Sequence, residues 1–339
     1  LSGTDIARYT FAVNTNSPHR IRLGTRGSML AQMQSELIAS QLRAVHPGLV
    51  VELTIIKTTG DRIQNKPLHE VGGKGLFTRE LEQALLAGQI DFAVHSYKDV
   101  PVTMPLVDTS ALIIAAVPAR EDVRDVLITQ NGCSSISGLP KHVRVGTGSL
   151  RRRCQLLAIR PDLEIIPVRG NIDTRLRKLR EGEFDAVILA AAGLKRAQLF
   201  DPAIMIPIDA TEMVPSPGQG ALALQCRADD VFTREILHVL NDPGTSACVN
   251  AERELVRLLH ADCHSPVGIF AQIVGDQFHL RASVSAHNGT PPLIAAAVQS
   301  SLNDAKTLPD NIFQQLQNLG AMNALHPPAA NFVDPQTPG

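Results

Sequence analysis

Gly24-Thr25-Arg26-Gly27-Ser28-Met29-Leu30 follows a short apolar, β-rich run at residues 21–23. It opens a stretch, residues 28–44, whose apolar positions recur at helical spacing. A strand end, a glycine turn, a hydroxyl residue suited to a helix N-cap and a helix start make a strand-to-helix transition. The same succession returns at Gly146-Thr147-Gly148-Ser149-Leu150. A second echo pairs Gly88-Gln89-Ile90-Asp91 with Gly182-Glu183-Phe184-Asp185, each a helix stop feeding an apolar strand. Outward from these echoes the pattern predicts strands at 50–57, 92–95, 143–145, 164–168 and 186–189. It predicts helices at 76–86, 150–159 and 172–181. Such alternation argues for α/β layers in two related lobes. After Cys226 the texture changes, with helices predicted at 233–240, 249–260 and 305–319 around strands at 267–274 and 279–285. Strands grouped between helices indicate a smaller α+β domain.

The composition narrows the classes of function. Of 339 residues, 44% are hydrophobic and 19% charged, enough apolar surface for real cores. The net charge of −1, the 4% aromatic content and the absence of Trp disfavour a nucleic-acid platform or a membrane-surface binder. The longest apolar run, residues 186–194, contains a glycine and falls well short of the roughly 18 residues a membrane span needs. Cys133, Cys154, Cys226, Cys248 and Cys263 are odd in number and form no C-x-x-C pair. Neither a disulfide framework nor a metal site is expected, and a reducing compartment suits them. Residues 1–20 are polar without an apolar core, which reads as a loose leader and not as a signal peptide. The proline-rich tail, 326–339, reads as loosely ordered.

The chemistry concentrates in four places. Residues 151–180 hold nine basic and three acidic side chains, a local surplus of six in a chain that is otherwise balanced. Arg151, Arg152 and Arg153 lie just inside a helix start, where free N–H groups already favour an anion. Arg169 and Arg175 flank another strand-to-helix turn, Gly170-Asn171-Ile172-Asp173-Thr174. Arg26 and Ser28 hold the matching place in the first lobe. Arginine forks grip carboxylates at two points, so a cleft for a ligand with several carboxylates or phosphates is expected. No P-loop or well-placed G-x-G-x-x-G accompanies them, and a nucleotide is not specifically supported. Arg177, Lys178 and Arg180 read as a solvated helix face. His95-Ser96-Tyr97-Lys98-Asp99-Val100-Pro101 sits at the carboxyl end of a strand, where open α/β sheets meet ligands. Asp99 there can stabilise a cation or shuttle a proton, and it equally suits a surface turn bonding backbone amides. Gly72-Gly73-Lys74-Gly75-Leu76-Phe77 suits a lid or a plain connector. In Asp262-Cys263-His264-Ser265-Pro266 a looped thiol beside a histidine suits a nucleophile or a structural cysteine.

In order along residues 21–287, these motifs resemble the porphobilinogen deaminase (hydroxymethylbilane synthase) family. They are the Gly24, Gly72 and His95 motifs, then Val145-Gly146-Thr147-Gly148-Ser149-Leu150-Arg151-Arg152 and Arg169-Gly170-Asn171-Ile172-Asp173-Thr174-Arg175-Leu176. Ala192-Gly193-Leu194-Lys195-Arg196, Gly218-Gln219-Gly220-Ala221 and Cys263-His264-Ser265-Pro266-Val267-Gly268 complete the set. The resemblance implies two periplasmic-binding-protein-like α/β lobes with a third, smaller α+β domain. The expected divisions are 21–117 plus 216–240, 118–215 and 241–325. It implies a dipyrromethane cofactor held through a thioether by Cys263. Four porphobilinogen molecules are joined head to tail with loss of ammonia, and hydrolysis frees hydroxymethylbilane. By motif, Asp99 is the catalytic carboxylate. Arg26, Ser28, Lys98, Thr147, Ser149, Arg151, Arg152, Arg169, Arg175 and Arg196 bind carboxylates of cofactor or substrate, and Lys74 and Phe77 lie in a covering loop. Departures from the family pattern are Gly148 for a frequent serine, Glu70 for a lysine, Tyr97 for Met or Leu, and Asp262 for glycine. A cytoplasmic monomer is expected, without nucleic-acid or membrane partners; a plastid home is compatible with the leader. The competing readings are a non-enzymatic anion-binding protein, an RNA binder using helix 172–181, and an inactive relative.

Overall fold

The computed structural model describes residues 19–62, 75, 78–102, 110–130, 132–262 and 264–327. The leader before residue 19, Lys74 and Phe77 of the expected covering loop, Cys263 and the tail beyond residue 327 lie outside the described residues. In chain order, β1 (Arg20–Arg26) leads into α1 (Met29–Val45), β2 (Val50–Ile56) and the short α2 (Thr59–Arg62). Next come α3 (Arg79–Leu86), β3 (Phe92–Ser96), a 3-10 turn (Tyr97–Asp99) and β4 (Leu112–Ala116). The chain continues through β5 (Asp125–Thr129), β6 (Arg144–Gly146), α4 (Leu150–Ile159), β7 (Glu164–Ile166) and α5 (Ile172–Arg180). Then follow β8 (Ala186–Ala190), α6 (Ala191–Arg196) and β9 (Met205–Pro207). It closes with β10 (Leu222–Arg227), α7 (Val231–His238), α8 (Pro243–Leu258), β11 (Val267–Val274), β12 (Gln277–Ser285), β13 (Leu293–Ser301), α9 (Leu308–Asn318) and α10 (Ala321–Leu325).

The first sheet has the order β2-β1-β3-β10-β4 and the second β7-β6-β8-β5-β9. In each, a central strand pairs in parallel with two neighbours (β1 with β2 and β3; β6 with β7 and β8). In each, one strand runs antiparallel to both of its neighbours, β10 in the first and β5 in the second. Strands β5 to β9 are consecutive in the chain, whereas β10 returns to the first sheet after the second is complete. The chain therefore crosses between the lobes twice, once before β5 and once before β10. The two α/β lobes expected from the echoes are present, and the echoes are structural. Arg22 in β1 donates to Asp91 through its backbone N and its guanidinium, at 2.7, 3.1 and 2.7 Å. Arg144 in β6 makes the same three bonds to Asp185, at 3.0, 3.2 and 2.8 Å. The glycines behind each turn are required by close approach. A Cβ on Gly24 would stand 2.2 Å from Ile90, and one on Gly146 3.0 Å from the equivalent Phe184.

The third sheet is an antiparallel meander, β11-β12-β13. Leu255, Val256 and Leu259 at the end of α8, and Ile312 and Leu316 on α9, pack with Ile269, Leu280 and Val284 into its core. Here the structure moves several expected boundaries. The helix expected at 249–260 starts at Pro243, because Asp242 caps it by accepting from the Thr245 N–H at 2.6 Å. The helix expected from residue 305 is a 3-10 turn, Leu302–Thr307, followed by α9 from Leu308, with Pro309 in its first turn. Strands β4, β5, β9, β10 and β13 lack the glycine-turn-helix signature and escape the sequence pattern.

Candidate active site

The cavity that gathers the expected residues lies between the two α/β lobes and measures about 310 Å3. From the first lobe come Arg26 at the end of β1, Ser28 and Gln34 on α1, and Ser96, Lys98 and Asp99 at the end of β3. From the second come Arg152 on α4, the turn Gly170-Asn171-Ile172-Asp173 with Arg175 on α5, and Arg196 on α6. Gly220 and Ala221, from the second crossover, complete the polar side. Leu30, Ile172, Leu189 and Ala192 supply apolar surface. Five cations face two carboxylates, Asp99 and Asp173, leaving a surplus of three positive charges.

Local folding explains how these side chains arrive. Ser28 caps α1 by accepting from the Ala31 N–H, and Ser149 caps α4 by accepting from the Arg152 N–H, each at 3.4 Å; such caps are worth about 1 kcal/mol each. Gln34, buried on α1, is 3.2 Å from the Ser96 hydroxyl and ties the helix to the end of β3. His95, one residue earlier, points the other way. Its ring is buried and hydrogen-bonded to Gln225 at 2.9 Å, and burial lowers its pKa to about 4.

Beneath the second lobe's wall lies a fully buried carboxylate, Asp125, the first residue of β5. It accepts from Arg152 Nε and a terminal nitrogen at 3.1 and 2.7 Å, and its other oxygen is 2.8 Å from Arg151. Burial opposes its ionisation, but the two guanidinium groups override that and hold the carboxyl well below the usual carboxylate range. One carboxylate for two cations leaves the cluster with a net positive charge, and Arg152, whose third nitrogen bonds the Ile188 carbonyl at 2.9 Å, is its member on the cavity lining. Burial pulls Lys98 down to about 8 against the opposing influence of Asp99, and pulls Arg175 and Arg196 down to about 10. Crowding of like charges by Arg152 and Arg169 adds to the effect at Arg175. Binding an anion would relieve each of these penalties.

The structure brings Arg26, Ser28, Lys98, Asp99, Arg152, Arg175 and Arg196 to one cavity. It does not bring the other four to that lining. Arg151 is buried and committed to Asp125 and to the Val214 carbonyl at 2.7 Å. Thr147 is buried; its N–H donates to Ile166 at 2.9 Å and its hydroxyl accepts from the Ser149 N–H at 3.2 Å. Ser149 caps α4, and Arg169 lies near enough to Arg175 for like-charge repulsion. Helix-start arginines look alike in sequence; both of these are buried against Asp125, and only Arg152 of the two also lines the cavity. Asp125 and Gln34 were missed by pattern. A lone acid heading the apolar run Val126-Leu127-Ile128 is the one signal that marks Asp125.

Residues 21–235 match the family model described as porphobilinogen deaminase, dipyromethane cofactor binding domain. Residues 246–318 match the porphobilinogen deaminase C-terminal domain. The chain belongs to the porphobilinogen deaminase family. It is 46% identical over 305 residues to the porphobilinogen deaminase of Syntrophobacter fumaroxidans, covering 90% of this chain and 96% of that one. The Xanthomonas oryzae pv. oryzae protein of that name is 45% identical over 306 residues, covering 90% of this chain and 98% of its own. Among solved structures, the methionine binding protein MetQ aligns with 66% of this chain and 90% of its own, at 14% identity and a TM-score of 0.42. Membership makes the chain a transferase of tetrapyrrole synthesis, with porphobilinogen as substrate and dipyrromethane as cofactor. The cavity fits that cofactor. Its cations match a ligand bearing several carboxylates, and its apolar side chains offer surface for pyrrole rings.

Proposed function

We propose that Arg26, Lys98, Arg152, Arg175 and Arg196 hold the carboxylates of cofactor and substrate, and that Asp99 is the carboxylate at the reacting centre. The observation that carries this reading is the convergence of five cations and Asp99 on one cavity between the lobes. Each porphobilinogen ring brings an acetate and a propionate, so a lengthening chain needs repeated two-point cationic contacts. When bound, dipyrromethane supplies the nucleophilic pyrrole carbon that primes the chain. Departure of ammonia from the substrate's aminomethyl carbon leaves a cation, which an ionised Asp99 stabilises electrostatically. The same carboxylate accepts a hydrogen bond from pyrrole N–H and so orients the ring. Arg151 acts indirectly, by pairing with Asp125 and fixing Arg152. Ser28 offers its hydroxyl beside Arg26, while Thr147 and Ser149 shape the matching turn. Arg169 adds positive charge beside Arg175, and by motif Lys74 and Phe77 would belong to a covering loop.

Cys263 carries the thioether in this reading. Its neighbours are held ready: the Asp262 carboxylate accepts from the His264 and Ser265 N–H groups at 2.9 and 3.1 Å. We divide the chain at 21–117 plus 216–240, 118–215 and 241–325, in keeping with its three sheets. This reading takes the protein as a monomer. The cytoplasm suits Cys133, Cys154, Cys226 and Cys248, all free thiols; among the described residues no helix is long and apolar enough to cross a membrane.

Intact mass and turnover test the assignment together. Asp99→Asn should keep the mass of two pyrrole units and lose porphobilinogen consumption; near-normal turnover would refute the role of Asp99. Cys263→Ser should lack that added mass, and a variant still carrying it would place the attachment elsewhere.

A further inference from the structure

The turn that presents Lys98 and Asp99 is gripped from the third domain. Arg253, half-buried on α8, donates to the Val100 carbonyl at 2.9 Å and the Pro101 carbonyl at 2.7 Å. The same guanidinium lies 4.7 Å from the centre of the buried Tyr97 ring, a cation–π contact. Arg253 therefore touches the residues on both sides of Lys98-Asp99 and neither of those two. From the opposite side the crossover supports the same turn. Tyr97 donates its N–H to Ala221 at 3.0 Å, and Gly218, at φ 72°, lies so close that a Cβ would stand 3.1 Å from the Lys98 nitrogen.

The neighbouring residue fixes the helix itself. Glu252 is fully buried and accepts from Arg120 at 2.7 and 3.0 Å. It also accepts from the Gly218 N–H at 2.7 Å and the Ala271 N–H at 2.8 Å. Arg120 belongs to the first crossover, Gly218 to the second and Ala271 to β11. Consecutive residues of one helix thus hold the junction of the lobes and the turn bearing Asp99.

We propose that Arg253 is a positioning residue for Asp99: through Tyr97 and the carbonyls of Val100 and Pro101 it fixes where the carboxylate stands against the cationic wall. This rests on the assignment of Asp99 above. A guanidinium is suited to the task, because its planar fork bonds two adjacent carbonyls while its face stacks on the ring. Removing it leaves the cavity's own cations in place, so substrate affinity is retained while the reacting geometry loosens.

The test uses the holoenzyme with three variants, Arg253→Met, Arg253→Lys and Tyr97→Leu, and two readouts. Arg253→Met should lower kcat on the order of ten- to a hundredfold, as small misplacements of reacting groups do, with KM within about twofold of the parent. In the same variant, hydrogen exchange at the Val100 amide, which bonds the Tyr97 carbonyl at 3.2 Å, should quicken while β12 stays protected. Arg253→Lys, which keeps the charge and a donor, should recover part of kcat, and Tyr97→Leu should show a smaller loss than Arg253→Met. A cofactor-loaded Arg253→Met with parental kcat and parental Val100 exchange would overturn the proposal. So would a kcat loss that tracks lost cofactor mass or a general loosening of β12. If Arg253→Met does not fold, Arg253→Lys decides: a kcat deficit at parental KM supports the proposal, and parental kcat overturns it. Parental turnover in Asp99→Asn would instead remove the assignment of Asp99, a different result from a silent Arg253.

Discussion

The two α/β lobes repeat each other down to single contacts, and they part company where the ligand meets them. Register aligns Ala190 of β8, opposite Asp125, with Ser96 of β3, opposite Leu222. The same place in the antiparallel strand is thus a buried carboxylate in the second lobe and a buried leucine in the first. One lobe anchors its arginines on an internal acid; the other keeps that position apolar and sends its acid, Asp99, to the end of β3. Two copies of one scaffold have divided the work. The second is a cationic wall with its counter-charge underneath, and the first carries a carboxylate, Asp99, that lines the cavity.

Making the same change to both acids tests this division most severely. Asp99→Asn should reduce turnover on the order of 10²- to 10⁴-fold, with thermal stability unchanged. Asp125→Asn should instead cost about 3–5 kcal/mol of stability, because two buried guanidinium groups lose their partner; urea unfolding measures it. If the two variants behaved alike, the contrast between the lobes would collapse.

Lys98 gives a pH signature that the arginine wall lacks. Its pKa is lowered to about 8 by burial, so its ammonium is present below that pH and lost as pH rises through it. KM for porphobilinogen should rise above about pH 8, and Lys98→Arg should flatten the rise, since a guanidinium stays charged. The same depressed pKa means that the charged form slightly disfavours folding at neutral pH, an effect relieved between about 8 and the ordinary lysine value of 10.5.

The smallest effect should separate the twin ion pairs. Asp91 is the more buried partner and accepts from Arg227 at 3.3 Å as well as from Arg22, whereas Asp185 is 39% exposed. Asp91→Ala should cost about 1–3 kcal/mol, and Asp185→Ala less. Equal losses in thermal melts would mean that burial does not distinguish the two.

The amino-acid sequence by itself determined the repeated unit. Glycines at 24 and 146 admit Ile90 and Phe184, and Ser28 and Ser149 sit where a helix needs a cap; these are local requirements with local signatures. It also pointed to the chemistry of the ligand, because arginines gathered at helix starts call for anions, whether from a ligand or, as for Arg151, from the protein itself. Only the tertiary structure decided which cations share one cavity and which are neutralised. Arg151 and Arg152 are neighbours in the chain and both are buried against Asp125, some 26 residues away in sequence, yet of the two Arg152 alone also lines the cavity. Only the fold brought Glu252 and Arg253 against the crossovers and the Asp99 turn, since contacts between distant segments leave no period in the sequence. Charge can be read from the letters, whereas its compensation depends on which segments are packed together, and in a low-dielectric interior that pairing governs what each charged group is free to do.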